Sequence, residues 1–129
     1  MEKCKTLDMK NLLLTMILTT VFCNAQTAQY NKIDSESSFK EYMSKAGNTI
    51  KVGDTLNIGY PRAGDRFMFI TQGNEPTGTV IANAKVVITK IKTIGNKNRG
   101  YKTYLLFKGY GMIPVYIDYE SAFETGELK

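Results

Sequence analysis

The stretch NAKVVITKIKTI, Asn83–Ile94, decides how this chain folds. Its Val and Ile content and its length read as one long strand. The apolar positions do not keep a single parity: Val86 and Ile88 share one, Val87 and Ile91 the other. A strand whose inward face switches partway contains a bulge or a sharp bend, which is how small barrels turn a corner. The expectation is therefore a curved β structure.

Downstream, GNKNRG is a hairpin loop, and YKTYLLFK places Tyr101, Thr103, Leu105 and Phe107 on one face of the returning strand. GYG turns the chain into MIPVYID, with Ile113, Val115 and Ile117 inward. DYESAFETG then predicts a short helix, with Asp118 as N-cap, Tyr119, Ala122 and Phe123 as its apolar face, and Gly126 as its left-handed stop. Upstream, QGNEPTGT is a long turn and RFMFIT a strand apolar on both faces. PRAGD is a loop; in IKVGDTLNIGYP, Gly53 and Asp54 mark a tight turn before Leu56, Ile58 and Tyr60 alternate with polar or small residues. DSESSFKEYMSKAGN predicts a helix: Phe39, Tyr42, Met43 and Ala46 fall at i, i+3, i+4 and i+7 between an Asp34 or Ser35 cap and a Gly47–Asn48 stop.

The fold class is mainly β with some α. The architecture expected is a small antiparallel five-stranded barrel, SH3-like or OB-like, with an N-terminal capping helix and a short C-terminal helix. Connections too short for parallel crossovers require antiparallel pairing, and an open sheet with the helices on one face is the alternative.

From Met9 the chain reads MKNLLLTMILTTVFCNAQ: a lysine, an apolar run from Leu12 to Phe22, then small or polar residues. This is the layout of a secretory signal peptide over residues 1–25, cut between Ala25 and Gln26. The run is shorter than the ~20 residues a membrane-spanning helix needs. Met9 fits as the start better than Met1, because Glu2 and Asp8 dilute the positive region. A lipid-bearing Cys23 is the rival reading, but Phe22 stands where a lipoprotein signal wants a small residue. Residues 26–33 read as a flexible lead and 34–129 as a single domain, periplasmic or extracellular.

Removing 25 of the 129 residues leaves 104, enough for one core. The mature chain keeps 14 of 17 basic and 10 of 12 acidic residues, a net +4 that solubility alone accounts for. Both cysteines, Cys4 and Cys23, leave with the leader, and the sequence has no His. Thiol nucleophiles, His-based triads, disulfides and the common zinc, copper and haem ligand sets are thereby excluded, so neither a cofactor nor a metal is expected.

The Ala25-Gln26 junction, the opening strand IKVGDTLNIG and the closing VYIDYESAFETGEL resemble small exported proteins of Bacteroides-type bacteria. The resemblance implies secretion and a small β fold, and it carries over no functional residue.

Ser37-x-x-Lys40 has the spacing of a serine nucleophile with a lysine base, but the companion Ser-Asp-Asn and Lys-Thr-Gly elements are absent. Asp54, Asp65 and Asp118 each have a local turn, loop or cap role, and no spacing forces two of them together, which disfavours a catalytic or calcium-binding role. Lys85, Lys90, Lys92, Lys97, Arg99 and Lys102, interleaved with Tyr101 and Tyr104, form a basic surface on the third and fourth strands. Such a surface can bind anions or block edge aggregation; export disfavours nucleic acid, leaving an anionic glycan or lipid head group. YPRAGDR places Tyr60, Arg62 and Arg66 around a loop that can serve as a ligand surface with Tyr110 and Tyr116. The function expected is a non-catalytic module binding peptide, protein or glycan. The alternatives are a small carboxylate-dependent hydrolase, or a structural or inhibitory subunit of an envelope complex.

Overall fold

Thr89 is where the long strand breaks. The computed structural model describes residues 27–129, and in it residues 85–96 form two strands, β8 (Lys85–Val87) and β9 (Lys90–Asn96), following β1 (Thr27–Gln29), β2 (Ser37–Phe39), β3 (Glu41–Met43), β4 (Thr49–Lys51), β5 (Thr55–Asn57), β6 (Arg66–Gln72) and β7 (Glu75–Gly78). A 3₁₀ turn, Thr79–Ile81, precedes β8; β10 (Gly100–Phe107), β11 (Val115–Asp118) and one helix, α1 (Tyr119–Thr125), follow β9. The bend at Thr89 changes the partner as well as the face. β8 pairs with β5, whereas β9 pairs with β10 and β2. Val86, Ile88 and Ile91 are all buried while Val87 is exposed, so the parity switch falls between Ile88 and Ile91.

The structure is mainly β, in three sheets. The largest has the order β2-β9-β10-β11-β6-β7; smaller ones are β1-β3-β4 and β5-β8. None closes into a barrel. Where closure would fall, β5 continues to an isolated bridge between Ile58 and Leu128, and a side chain spans the remaining gap to β6. Glu127 is fully buried, and its two carboxylate oxygens accept the N–H groups of Met68 (2.7 Å) and Phe69 (2.8 Å). At this point β6 slips register against β7, between Arg66 and Thr71, so both Phe67 and Ile70 point into the core. That slip explains why RFMFIT reads as apolar on both faces.

The core is continuous across the sheets: Tyr42, Ile58, Phe67, Ile70, Ile91, Leu105, Phe107 and Ile117 are among its fully buried members. Leu105 sits opposite Ile91 on one side and Ile117 on the other, so this row of the sheet is a cross-strand apolar triplet. Ile113, expected inward, is half exposed because β11 starts only at Val115. The long turn QGNEPTGT instead contains β7, whose Pro76 is tolerated because β7 is an edge strand. Gly73 and Asn74, both at positive φ, make its hairpin turn.

The N-terminal helix is absent. Ser37–Phe39 and Glu41–Met43 are strands, and Gly47 serves a β3–β4 hairpin in which the Ser44 N–H donates to Asn48. The reason is tertiary. A short helix is marginal by itself, whereas the extended form seats Tyr42 between Ala28 and Ile50 in the ladder and buries all three. The same pairing orders the expected flexible lead, since β1 runs parallel to β3. The leader expected over residues 1–25, with Cys4 and Cys23, lies outside the described residues. Among those described, no helix is long and apolar enough to cross a membrane.

Candidate functional site

Beyond Tyr104, β10 loses β11 as a neighbour: the last paired residues are Tyr104 and Asp118, after which the chain turns into α1. The space this leaves is a cleft of about 660 Å³, within the range of small-ligand sites. It is lined by Tyr101, Lys102 and Thr103 of β10, the Tyr30–Asp34 segment, Tyr42, Lys97, Asp118, and Glu120 with Ser121 of α1. β10 alternation sorts these groups. Tyr101 and Thr103 share the inward parity of Leu105, whereas Lys102 points outward with Tyr104.

Tyr42 and Thr103 are buried. The Tyr42 hydroxyl donates to Glu120 Oε1 at 2.5 Å, and the same oxygen accepts the Lys45 N–H at 3.0 Å. Burial, the hydrogen bond to Glu120 and that residue's charge push the Tyr42 phenol well above its usual range, with the Thr103 hydroxyl a smaller opposing influence. Asp118 stands at the N-cap position of α1 yet makes no capping bond. Its carboxylate instead accepts from Lys102 Nζ at 3.0 Å, and this partner raises the lysine's pKa. Thr103 differs from all of these. It is 3% exposed, and its Oγ1 makes no close hydrogen bond, its polar neighbour being the Tyr42 hydroxyl, whose own proton goes to Glu120. The neighbouring Thr93, directly opposite in the ladder, donates to Ser35 O and accepts the Ser37 N–H. A buried hydroxyl without a partner costs about 1–3 kcal/mol, and this one lines the cleft.

The loop residues expected to form a site do not gather on this cleft. Tyr60 is exposed with Lys129 Nζ over its ring at 5.6 Å, and the Arg62 guanidinium packs against Gly126. Arg66 donates to Pro76 O at 3.0 Å. Tyr110 packs edge-on to Phe107 and lines a smaller hollow beside β7. Tyr116 packs edge-on to Tyr104, on the outward face of the large sheet. The basic residues divide as well. Lys90 and Lys92 share that outward face, Lys85 lies on the separate β5–β8 pair, Arg99 is in the β9–β10 turn, and only Lys97 and Lys102 reach the cleft. Tyr101 and Tyr104, adjacent in the sequence pattern, face opposite sides of β10.

The site residues that the sequence reading passed over are Tyr30, Asp34, Tyr42, Thr103, Glu120 and Ser121. Thr103 carried a signal: a polar residue in an otherwise apolar inward row. Tyr42 and Glu120 are far apart in the chain and only the β3 pairing joins them. Among the described residues no group of three acidic, His or Cys side chains could hold a metal ion. The chain matches no family model, no curated protein and no solved structure.

Proposed function

We propose that this protein is an exported, non-catalytic binding module whose ligand occupies the cleft beside β10. The observation that carries the reading is the buried Thr103 hydroxyl, without a close hydrogen bond and beside Tyr42 in a hollow also lined by Tyr30 and Tyr101, a polar group under-satisfied by the fold itself. In this reading the curled sheets form an SH3-like or OB-like scaffold with an open seam. The leader over residues 1–25 delivers the domain to the periplasm or beyond, as in the small exported proteins it resembles. A hydrolase is disfavoured because Asp118 and Glu120, the obvious acid and base, are already held by Lys102, Tyr42 and the Lys45 amide.

Capture of binders from envelope extract tests the site. Tyr101→Ala/Lys97→Glu is expected to lose the binders that wild type retains, while Arg62→Glu/Arg66→Glu keeps them. The opposite pattern moves the site to the loop and overturns the reading. Intact mass of the mature chain tests export: a start at Gln26 is expected, and a lipid on Cys23 refutes simple secretion.

A further inference from the structure

Along Gly100–Thr103, β10 has β9 on one side and no strand on the other. A strand turns the main-chain groups of successive residues to alternate sides. The Leu106 carbonyl accepts the Thr89 N–H and so faces the β8–β9 side. Even-numbered residues of β10 therefore face β9, and Tyr101 turns both main-chain groups to the open side; Thr103 leaves only its N–H there, because the Tyr104–Asp118 pairing engages its carbonyl with the Tyr119 N–H. Both residues line the cleft. The open edge is four residues long, about 13 Å at the usual strand rise.

This edge is recessed between the Tyr30–Asp34 segment and α1. A second folded copy would have to bring in its own equally recessed edge, so pairing between copies is obstructed, whereas a single extended chain can enter. The charges in the cleft do not select an anion. Lys102 is taken up by Asp118, and Asp34, Glu120 and Lys97 have no ion-pair partner among the described residues. The cleft thus offers two carboxylates, Glu120 already accepting from Tyr42 and the Lys45 amide, and one ammonium, which suits a ligand carrying both donors and acceptors.

We propose that the ligand is an extended peptide segment of another protein, added as a strand to the Gly100–Thr103 edge of β10. This rests on the reading of the cleft as the binding site. Main-chain hydrogen bonds to the N–H and carbonyl of Tyr101 and to the Thr103 N–H supply affinity, and alternate side chains of the peptide supply specificity. Those on the inward side meet Tyr101 and the Thr103 hydroxyl, which favours Ser, Thr or Asn opposite Thr103. The opposite parity meets Lys102.

The probes are linear octapeptides selected on the full chain from a random display library, with neutral and sulfated oligosaccharides screened in parallel. Enriched peptides are then synthesised with single backbone N-methyl groups. Strand addition predicts that methylation at one parity lowers affinity about tenfold or more, the loss of one well-made hydrogen bond, while the other parity changes it little. Thr103→Val is expected to erase the preference for Ser, Thr or Asn. Failure to enrich any peptide, or a loss independent of methylation parity, overturns the peptide proposal. An oligosaccharide that binds and is lost with Tyr101→Ala keeps the cleft as the site but replaces its ligand. Binding of either kind that ignores both Tyr101→Ala and Thr103→Val overturns the cleft itself.

Discussion

At the scale of single residues, Glu127 and Thr103 are opposites. Glu127 is a fully buried carboxylate with both oxygens used; Thr103 is a buried hydroxyl with no close partner. Glu127→Gln turns one acceptor into a donor aimed at a backbone donor. A loss of about 2 kcal/mol in urea denaturation is expected, since a buried group left unpaired costs its desolvation. Thr103→Val has the same shape without the hydroxyl, so stability is expected to hold or rise by about 1 kcal/mol while ligand binding falls. A hydroxyl kept for structure alone would show the reverse stability change.

At the scale of elements, the β9–β10 hairpin frames the cleft and depends on Gly95, opposite Tyr101. A Cβ on Gly95 would lie 2.1 Å from the Gly100 carbonyl oxygen and 2.8 Å from Tyr101 Cα. Gly95→Ala must therefore splay the hairpin, and a destabilisation of about 3 kcal/mol is expected by denaturation. Exchange broadening at Tyr101 and Lys102 in amide NMR spectra should accompany it. Elements of this kind were largely legible in the sequence. The switch of parity around Thr89 locates the bend, Tyr101 to Phe107 announces the inward face of β10, and Gly126 ends α1 with φ +80 as its position demands. What failed was the segment around Tyr42, where helical spacing of four apolar residues competes with a strand reading that only a partner can favour. The cleft was hidden for the same reason: Tyr42, Thr103 and Glu120 meet through pairings separated by long stretches of chain.

At the scale of the whole molecule, charge and phenol chemistry set the working range. Burial, first among the causes, raises the pKa of Tyr42, Tyr104 and Tyr119 above the ordinary value of 10.0. An unfolded tyrosine loses its proton near that pH while these three still hold theirs. The stability they contribute is fully present below about pH 10 and is lost as pH rises through the folded values. Lys102, raised by Asp118, acts in the same direction at higher pH. Tyrosinate absorbance should therefore show a late fraction of the eight tyrosines appearing together with loss of far-UV circular dichroism. Complete titration of all eight in a chain still folded would contradict the burial of these rings.

The seam between β6 and the Gly126–Leu128 segment has a genetic consequence. A seam closed by a ladder is written in the main chain, which every codon supplies. This one is written in a glutamate codon, whose single-base neighbours encode Asp, Gln, Lys, Val, Ala and Gly, none placing two acceptor oxygens at the same reach. A saturation library should show a trough of tolerance deepest at position 127, where even polar replacements fail, between permissive Glu124 and Lys129, both exposed. Heritable variation in this fold is thereby pinned at one point that carries no part of the proposed binding site.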